Sequence, residues 1–256
     1  MVDKKKIMLP NHQDIIKDVY KGLDLPTRRL FGKNLLSLGA ITLLTGCTLT
    51  NEDNIEQALE VMSRFNDRVQ GWLFDPNKLA PTYSEEMITK PFPFNAYYDE
   101  DEIRPDPDNF KLKVSGLIKD KKDWSLVELN AMPQTTQITR HICVEGWSAI
   151  GKWGGVRFSD FLQRIGADTQ ASFVGFRCHD DYYTSIDMPT AMHPQTLLTL
   201  TFADQVLPAK YGYPLKLRIP TKLGYKNPKY IKEIFVTNVN PGGYWEDQGY
   251  NWFGGS

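Results

Sequence analysis

The feature that most limits the fold is a series of short segments with strand-like patterning, separated by turns and only a few helical stretches. Apolar and polar residues alternate, or short apolar runs occur, at 111–118, 135–143, 172–178, 182–186, 197–202, 215–219 and 231–236. Such runs of four to eight residues are typical of β-strands. Helical spacing is confined to 53–72 and to short segments beginning at Ser125 and Ser159. Because helices do not alternate with the strands, the sequence predicts an α+β fold, β-rich with short peripheral helices.

Composition and charge exclude several classes of protein. The chain has 256 residues and a net charge of −1, so it carries no basic field of the kind that binds nucleic acid. Its three cysteines include no Cys-x-x-Cys pair, and therefore neither a disulfide framework nor a structural zinc site is indicated. A domain of about 200 residues can bury a sizeable core without such supports. We expect a monomer that does not bind nucleic acid.

The first 47 residues have the features of an export leader. Arg28 and Arg29, followed by Phe31 and Lys33, resemble a twin-arginine motif. An apolar run at 35–45 is about half the length that spans a bilayer, as in a signal peptide. It ends in Leu-Thr-Gly-Cys47, which resembles a lipobox. We expect a leader at 1–47, a periplasmic domain at 52–256 and a lipid anchor on Cys47; the alternative is a short buried helix after a basic loop.

The stretch around Cys143 carries the chemistry. Cys143 ends a predicted strand, and a polar loop containing glycine follows it. Arg140 and His141 would favour its thiolate, and Glu145 could exchange a proton. Spacing alone leaves two readings open, a reactive or ligating thiol and a buried structural cysteine. A disulfide between Cys143 and Cys178 is a further alternative, since export would permit it.

The sequence of this stretch resembles the oxidoreductase molybdopterin-binding family, which has the sulfite oxidase fold. The resemblance rests on Cys-Val-Glu-Gly-Trp-Ser at 143–148 and Lys-Trp-Gly-Gly-Val at 152–156. Ala-Met-His-Pro at 191–194, Pro-Leu-Lys-Leu-Arg-Ile-Pro at 214–220 and Lys-Leu-Gly-Tyr-Lys at 222–226 follow in the family's order. The resemblance to the family extends from about residue 92 to 238. Within the family, the stretch resembles the catalytic subunits of bacterial periplasmic protein-methionine-sulfoxide reductases.

The resemblance implies a molybdopterin cofactor whose molybdenum is bound by the Cys143 thiolate. Lys216 takes the place of an arginine that holds the cofactor's phosphate, which keeps the charge and loses the bidentate fork. The cofactor-binding residues implied by the resemblance are Asn95, Tyr98, Asp99, Cys143, Cys178, Tyr211, Lys216, Asn227, Pro228 and Lys229. Two of these, Cys178 and Tyr211, depart from the reductase pattern, which has threonine and asparagine there, so the substrate is not inherited by analogy.

Three further residues are candidates for contact with substrate. Glu145 could act as an acid near the metal, Arg140 could face an oxyanion, and His179 could line the path of the substrate. The alternatives are a solvated loop carboxylate for Glu145, an ion pair on the strand for Arg140 and a surface loop for His179.

The reaction class implied by the resemblance is two-electron oxygen-atom transfer. We expect reduction of an S-oxide or N-oxide. The sequence has no Cys-x-x-Cys-His haem motif, so electrons would come from a partner, which the resemblance suggests is a membrane b-type cytochrome. One alternative is a sulfite dehydrogenase. Another is a cofactor-free exported lipoprotein of the same fold, with a Cys143–Cys178 disulfide.

Overall fold

Two β-sheets form the body of the chain in this computed structural model, which describes residues 52–93 and 109–256. The expectations for the leader at 1–47 and for Asn95, Tyr98 and Asp99 lie outside the described residues. The chain divides into two compact units, residues 1–64 and 65–256, and the sheets and the site belong to the second. Among the described helices, none combines the length and the apolar character needed to cross a bilayer.

The described elements are nine strands and four α-helices, with short 3-10 turns between them. The strands are β1 (Lys113–Gly116), β2 (Gln134–Ile142), β3 (Ser148–Arg157), β4 (Phe173–Cys178), β5 (Tyr183–Asp187), β6 (Leu197–Phe202), β7 (Gln205–Val206), β8 (Lys216–Arg218) and β9 (Ile231–Thr237). The helices are α1 (Glu52–Leu73), α2 (Leu126–Asn130), α3 (Phe158–Arg164) and α4 (Met188–Met192). The 3-10 turns are Glu85–Met87, Ala209–Tyr211, Gly224–Lys226 and Glu246–Gln248.

The strands form one four-stranded and one five-stranded sheet. The first has the order β1-β9-β4-β5, with β1 and β9 parallel and the other pairs antiparallel. The second has the order β2-β3-β6-β7, and β8 also pairs with β6. With short helices beside these sheets, the predicted β-rich α+β fold is confirmed.

One apolar core joins the two sheets. It combines Val114, Phe176 and Ile234 of the four-stranded sheet with Leu198 and Leu217 of the other. Helix α3 adds Phe158, Phe161 and Leu162, all of them fully buried. A smaller cluster of Trp153, Phe202 and Leu207, with Phe92 and Tyr211 packed against it, lies apart from this core. That smaller cluster borders the candidate site.

Strand β3 is the main element that the sequence prediction missed, because its glycines indicated a loop. Their role is close packing. A Cβ atom on Gly155 would lie 2.0 Å from the carbonyl oxygen of Leu198, and one on Gly154 would lie 2.3 Å from Oγ1 of Thr201. Both glycines therefore let β6 approach β3 at a register shift between them.

Candidate active site

A cavity of about 420 Å³ brings together residues from the β2–β3 turn, β8 and the 224–229 loop. Residues from β2, from β3 and from four further segments, including the C-terminal one, complete its lining. The predicted site residues that line it are Cys143, Glu145, Tyr211, Lys216, Asn227, Pro228 and Lys229. They are separated by up to 86 positions in sequence, since 229 minus 143 is 86. The fold therefore places the predicted thiol and the predicted phosphate-binding residues around one space.

The Cys143 thiol is held by the tight turn between β2 and β3. Its backbone N–H donates to the carbonyl of Trp147 at 2.9 Å, and the N–H of Gly146 donates to the carbonyl of Cys143 at 3.2 Å. Gly146 has φ of +92°, a left-handed conformation that glycine adopts readily. Cys143 is only 7 % exposed. The turn thus fixes a mostly buried thiol at the cavity wall.

A carboxylate lies beside this thiol. Oε2 of Glu145 lies 3.8 Å from Sγ of Cys143, and it accepts a hydrogen bond from the indole N–H of Trp147 at 3.1 Å. The indole N–H orients the carboxylate. The Cys143 thiol can then donate a hydrogen bond to that carboxylate. Glu145 itself is exposed, so it connects the thiol end of the cavity with solvent.

His141 lines the same cavity as a neutral imidazole. Burial, followed by the charges of Arg218, Lys216 and Lys229, lowers its pKa to about 2. Its Nδ1 is buried and has no hydrogen-bond partner among the described residues. The expectation that His141 adds positive charge beside the thiol is therefore wrong, and the positive charge of this region comes from the two lysines and the arginine.

These three cations lie close to one another, with Lys216 and Arg218 buried and Lys229 half-buried. Burial, and then repulsion from Lys229 and Arg218, lowers the pKa of Lys216 well below its usual value. Burial lowers the pKa of Arg218 to about 9 and that of Lys229 to about 8. The ring of Trp153 lies 5.9 Å from Nζ of Lys216 and 5.8 Å from the guanidinium of Arg218, which provides cation–π contact to both. Such a cluster favours a bound anion, because an anion relieves the mutual repulsion.

Asn227 positions these cations through its backbone and its side chain. Its carbonyl oxygen accepts from Nζ of Lys216 at 3.2 Å, and its Oδ1 accepts from Arg218 at 3.0 Å and from the N–H of Ile219 at 2.7 Å. Its amide donates to the carbonyl of Leu223 at 3.0 Å. Asn227 therefore holds the loop against β8, and its side chain is occupied by protein contacts.

Tyr211 lines the cavity through its ring and is held by a neighbouring segment. Its hydroxyl donates to the carbonyl of Phe92 at 2.8 Å, and its ring packs 4.7 Å from that of Phe202. The position that departs from the reductase pattern thus belongs to the smaller aromatic cluster.

Three predicted site residues do not line the cavity. The guanidinium of Arg140 lies 5.3 Å from the centre of the Tyr83 ring, and only its carbonyl oxygen serves the site, by accepting from Arg218 at 2.6 Å. Cys178 is fully buried at the end of β4, where burial raises the pKa of its thiol well above the usual value. His179 is exposed in the turn after β4, and partial burial of its imidazole lowers its pKa. Their roles at the site stay predictions.

No disulfide joins Cys143 to Cys178 in the structure. Sγ of Cys143 instead faces the Glu145 carboxylate, and Cys178 packs in the main apolar core. The alternative of a Cys143–Cys178 disulfide is therefore not supported by the structure.

The sequence prediction missed an aromatic contribution from the C-terminal segment. Tyr244, Trp245 and Tyr250 line the cavity, together with Tyr182 and Tyr225. The density of aromatic residues between 244 and 253 was the available signal, but this segment has no strand or helix periodicity that would have placed it.

Comparison with known proteins agrees with this arrangement. Residues 100–245, more than half of the chain, match the oxidoreductase molybdopterin-binding domain. A candidate protein-methionine-sulfoxide reductase subunit of Azospira oryzae is 62 % identical over 258 residues, covering 99 % of this chain and 98 % of that protein. The protein-methionine-sulfoxide reductase catalytic subunit of Ralstonia nicotianae is 29 % identical over 208 residues, covering 69 % of this chain and 62 % of that protein.

A solved structure shows the same fold. The crystal structure of the sulfane dehydrogenase SoxCD from Paracoccus pantotrophus matches with a TM-score of 0.50 and 17 % identity. The match covers 53 % of this chain and 40 % of that chain, and it supports the sulfite oxidase-like fold predicted from the sequence.

The residues of the cavity fit the family's cofactor. A thiol suits molybdenum, a metal that binds soft sulfur ligands, and the buried cations suit the cofactor's phosphate. Cys143 would hold the metal, and Lys216 and Lys229 would hold the phosphate end, all three lining one cavity. The unpartnered Nδ1 of His141 adds a polar atom that a bound group could satisfy. The chain belongs to the oxidoreductase molybdopterin-binding family, and it is a molybdopterin-dependent oxidoreductase.

Proposed function

We propose that this chain reduces an S-oxide, of the class to which methionine sulfoxide in proteins belongs, by oxygen-atom transfer. The reaction consumes two protons and two electrons and converts the sulfoxide into a thioether and water. The observation that carries the proposal is that one cavity is lined by the Cys143 thiol, the buried Lys216 and the half-buried Lys229. The names of the relatives from Azospira oryzae and Ralstonia nicotianae support this substrate class.

The side chains around the cavity have separate tasks. When bound, the cofactor supplies a molybdenum centre that exchanges an oxygen atom and two electrons with the substrate. Cys143 binds and orients that centre through its thiolate. Lys216 and Lys229 bind the anionic end of the cofactor, where burial strengthens each charge interaction. Asn227 keeps Lys216 in place, because the carbonyl oxygen of Asn227 accepts a hydrogen bond from Nζ of Lys216.

Glu145 provides a route for protons at the thiol end. Its carboxylate is exposed to solvent and lies 3.8 Å from Sγ of Cys143, so it can take a proton from water and present it beside the reacting oxygen. Trp147 orients the carboxylate through the hydrogen bond of 3.1 Å. Reduction of a sulfoxide needs such a donor, since its oxygen leaves as water.

The same carboxylate argues against the alternative, oxidation of sulfite. Sulfite carries negative charge at neutral pH, and the Glu145 carboxylate next to the thiol would repel it. A sulfoxide is neutral and avoids this repulsion. The aromatic side chains of Trp147 and Trp245 in the lining also suit a neutral, polarisable substrate better than an oxyanion.

We further propose that the chain works in the periplasm. Twin-arginine export of the folded protein would follow from the pattern at 1–47, with lipid on Cys47 as anchor. Electrons would come from a membrane b-type cytochrome, because the sequence offers no haem attachment motif of its own. Cell fractionation of the wild type and of a Cys47→Ser variant tests the location.

The reaction is tested with protein purified from a host that makes molybdopterin. Molybdenum content is measured first, followed by reduction of methionine sulfoxide with a reduced viologen dye and by oxidation of sulfite with an acceptor dye. We expect about one molybdenum per chain, activity with the sulfoxide, and loss of both in Cys143→Ser. Molybdenum below a few per cent would support the cofactor-free alternative, and turnover of sulfite alone would support the dehydrogenase.

A further inference from the structure

Three aromatic residues of the C-terminal segment, Tyr244, Trp245 and Tyr250, form one side of the cavity. We call this surface the aromatic wall. The ring centres of Tyr244 and Trp245 lie 5.2 Å apart in an edge-to-face arrangement, and those of Trp245 and Tyr250 lie 5.2 Å apart at 58°. Tyr244 and Trp245 are half-buried, whereas Tyr250 is 41 % exposed. The wall thus extends from the cavity towards solvent.

The two residues after Trp245 anchor the wall to the rest of the domain. Glu246 accepts hydrogen bonds from Nζ of Lys226 and, at 2.7 Å, from Oγ1 of Thr184. The Lys226 and Glu246 side chains are only 1 % and 4 % exposed, so this ion pair is buried. Asp247 accepts from the hydroxyl of Tyr183 at 2.6 Å.

Backbone hydrogen bonds complete the anchoring. The N–H of Tyr244 donates to the carbonyl of Tyr183 at 2.9 Å, and the N–H of Tyr250 donates to the carbonyl of Trp245 at 3.1 Å. The ring of Tyr250 also packs edge-on against Tyr225, with centres 5.9 Å apart. The wall is therefore held in one geometry before a substrate arrives, which lowers the entropy that binding has to overcome.

The chemistry of the wall indicates what it contacts. Aromatic faces attract thioether and methyl groups and the apolar stems of peptide side chains, and they offer nothing to a compact inorganic anion. Two carboxylate residues, Asp180 and Asp181, also line the cavity. Asp181 forms an ion pair with Lys232 at 3.4 Å, and Asp180 disfavours negatively charged substrates on its side of the cavity.

We propose that the aromatic wall is the specificity-determining surface for the uncharged part of the substrate next to the S-oxide, and that it favours a methionine sulfoxide within a peptide over a small sulfoxide. Trp245 contacts the sulfoxide-bearing side chain, and the more exposed Tyr250 contacts the adjoining peptide. This inference rests on the proposed function, because it takes the S-oxide as the reacting group.

The test compares two neutral substrates of different size in the cofactor-loaded enzyme. Dimethyl sulfoxide is too small to span the wall, whereas a tripeptide with a central methionine sulfoxide and blocked ends reaches it. The variants are Trp245→Ala and Tyr250→Ala. The matched control is Trp72→Ala, which removes a tryptophan that is 67 % exposed on α1 and does not line the cavity.

We expect Trp245→Ala to raise KM for the tripeptide about tenfold, the factor that corresponds to losing the burial of about two methylene groups of the peptide side chain, which dimethyl sulfoxide lacks. Tyr250→Ala should raise it about threefold. The kcat/KM for dimethyl sulfoxide should change less than about twofold in both variants, and Trp72→Ala should match the wild type with either substrate. Molybdenum content, measured in each preparation, should be unchanged.

A binding measurement separates recognition from turnover. The same tripeptide with methionine sulfone in place of the sulfoxide is titrated by calorimetry into each protein, and its Kd should rise by the same factors as KM. Equal losses for both sulfoxides, or unchanged tripeptide binding in Trp245→Ala, would overturn the inference. A wild type that reduces neither sulfoxide would contradict the proposed function. The sulfone titration would then decide the wall's role by itself: a weaker Kd in Trp245→Ala supports it and an equal Kd overturns it.

If Trp245→Ala fails to fold, Tyr250→Ala carries the test, since Tyr250 is 41 % exposed and is less buried than Trp245. Circular dichroism and thermal melting identify that case. An unchanged tripeptide KM and sulfone Kd in a folded Tyr250→Ala protein would then count against the wall.

Discussion

The carboxylate of Glu145 lies 3.8 Å from the thiol of Cys143, two residues away on the same tight turn. The turn forces this proximity, because the hydrogen bond between Cys143 and Trp147 closes it and Gly146 adopts a positive φ inside it. A metal-binding thiol and a proton-exchanging group are thus placed together by five consecutive residues. The remainder of the cavity comes from distant parts of the chain.

Replacement of Glu145 by Gln tests the role of this carboxylate. Gln keeps the size of the side chain and can still accept from the Trp147 indole, but it cannot deliver a proton. We expect kcat for sulfoxide reduction to fall about a hundredfold, within the range typical of lost general acid catalysis. Molybdenum content should be unchanged, since Cys143 is intact. An equal kcat in Glu145→Gln would show that protons reach the site by another route.

Removal of the Lys216 charge should have opposite effects on the protein with and without cofactor. Lys216 is 4 % exposed, and repulsion from Lys229 and Arg218 adds to its burial in disfavouring the charged form. Lys216→Met should raise the free energy of unfolding of the cofactor-free protein by about 1 kcal/mol, because it removes a buried charge that neighbouring groups compensate only in part. The same variant should retain little cofactor.

Lys216→Arg is the matched control for this prediction. It keeps the positive charge and restores the residue that the family pattern has at this position, so cofactor retention should be at least equal to that of the wild type. Urea unfolding and molybdenum analysis measure the two effects. Loss of stability together with loss of cofactor in Lys216→Met would mean that Lys216 is structural and not an anion-binding residue.

The sequence predicted those parts of the site that depend on local order. Strand β2 alternates clearly, so the position of Cys143 at its end could be read from the sequence. The short helix predicted to begin at Ser125 is also present, with a Ser125–Glu128 capping box at its start. The family resemblance supplied Lys216 and Lys229, since spacing alone cannot show that two lysines far from a cysteine face it.

Two parts of the site escaped prediction for physical reasons. Glycines in β3 permit close strand packing, which depends on β6, a partner more than 40 positions away. Arg218 was not singled out, because an arginine in a short apolar strand gives no sign that its guanidinium will be buried against the carbonyl of Arg140 and Oδ1 of Asn227. Tertiary contacts decide both, and they have no periodic signal.

The pKa of Lys229 predicts how stability depends on pH. Burial lowers this pKa to about 8 in the folded protein, whereas an unfolded lysine titrates near 10.4. Between these values the unfolded chain binds more protons than the folded one, so stability of the cofactor-free protein rises as pH increases from about 8 to about 10. The destabilisation is fully present below the folded pKa and disappears above the unfolded pKa.

Lys229→Met should reduce this rise. It removes one titrating group and leaves other buried lysines, such as Lys222, whose pKa burial lowers to about 7. Urea unfolding at pH 7, 8, 9 and 10 measures the slope for both proteins. If both slopes were the same, Lys229 would have to be neutralised by a partner or exposed to solvent in the cofactor-free state.

Two glycines near the site should respond differently to replacement by alanine, since one is limited by packing and the other by its backbone conformation. A Cβ on Gly155 would lie 2.0 Å from the backbone carbonyl of Leu198, which a side-chain rotation cannot relieve. Gly155→Ala should therefore cost about 3 kcal/mol or more by forcing β3 from β6. At Gly146 nothing lies within 4 Å of the added atom, but φ is +92°, so Gly146→Ala should cost about 1 kcal/mol through backbone strain.

Urea unfolding with unchanged m-value gives both differences in the free energy of unfolding. The two variants should also separate in function. Gly146→Ala strains the turn that carries Cys143 and Glu145, so we expect its kcat to fall more than its loss of global stability implies. The activity of a Gly155→Ala preparation should fall only in proportion to its unfolded fraction. A larger loss of stability in Gly146→Ala than in Gly155→Ala would contradict the close packing of β3 on β6, because an alanine with open space around it would then be the more damaging change.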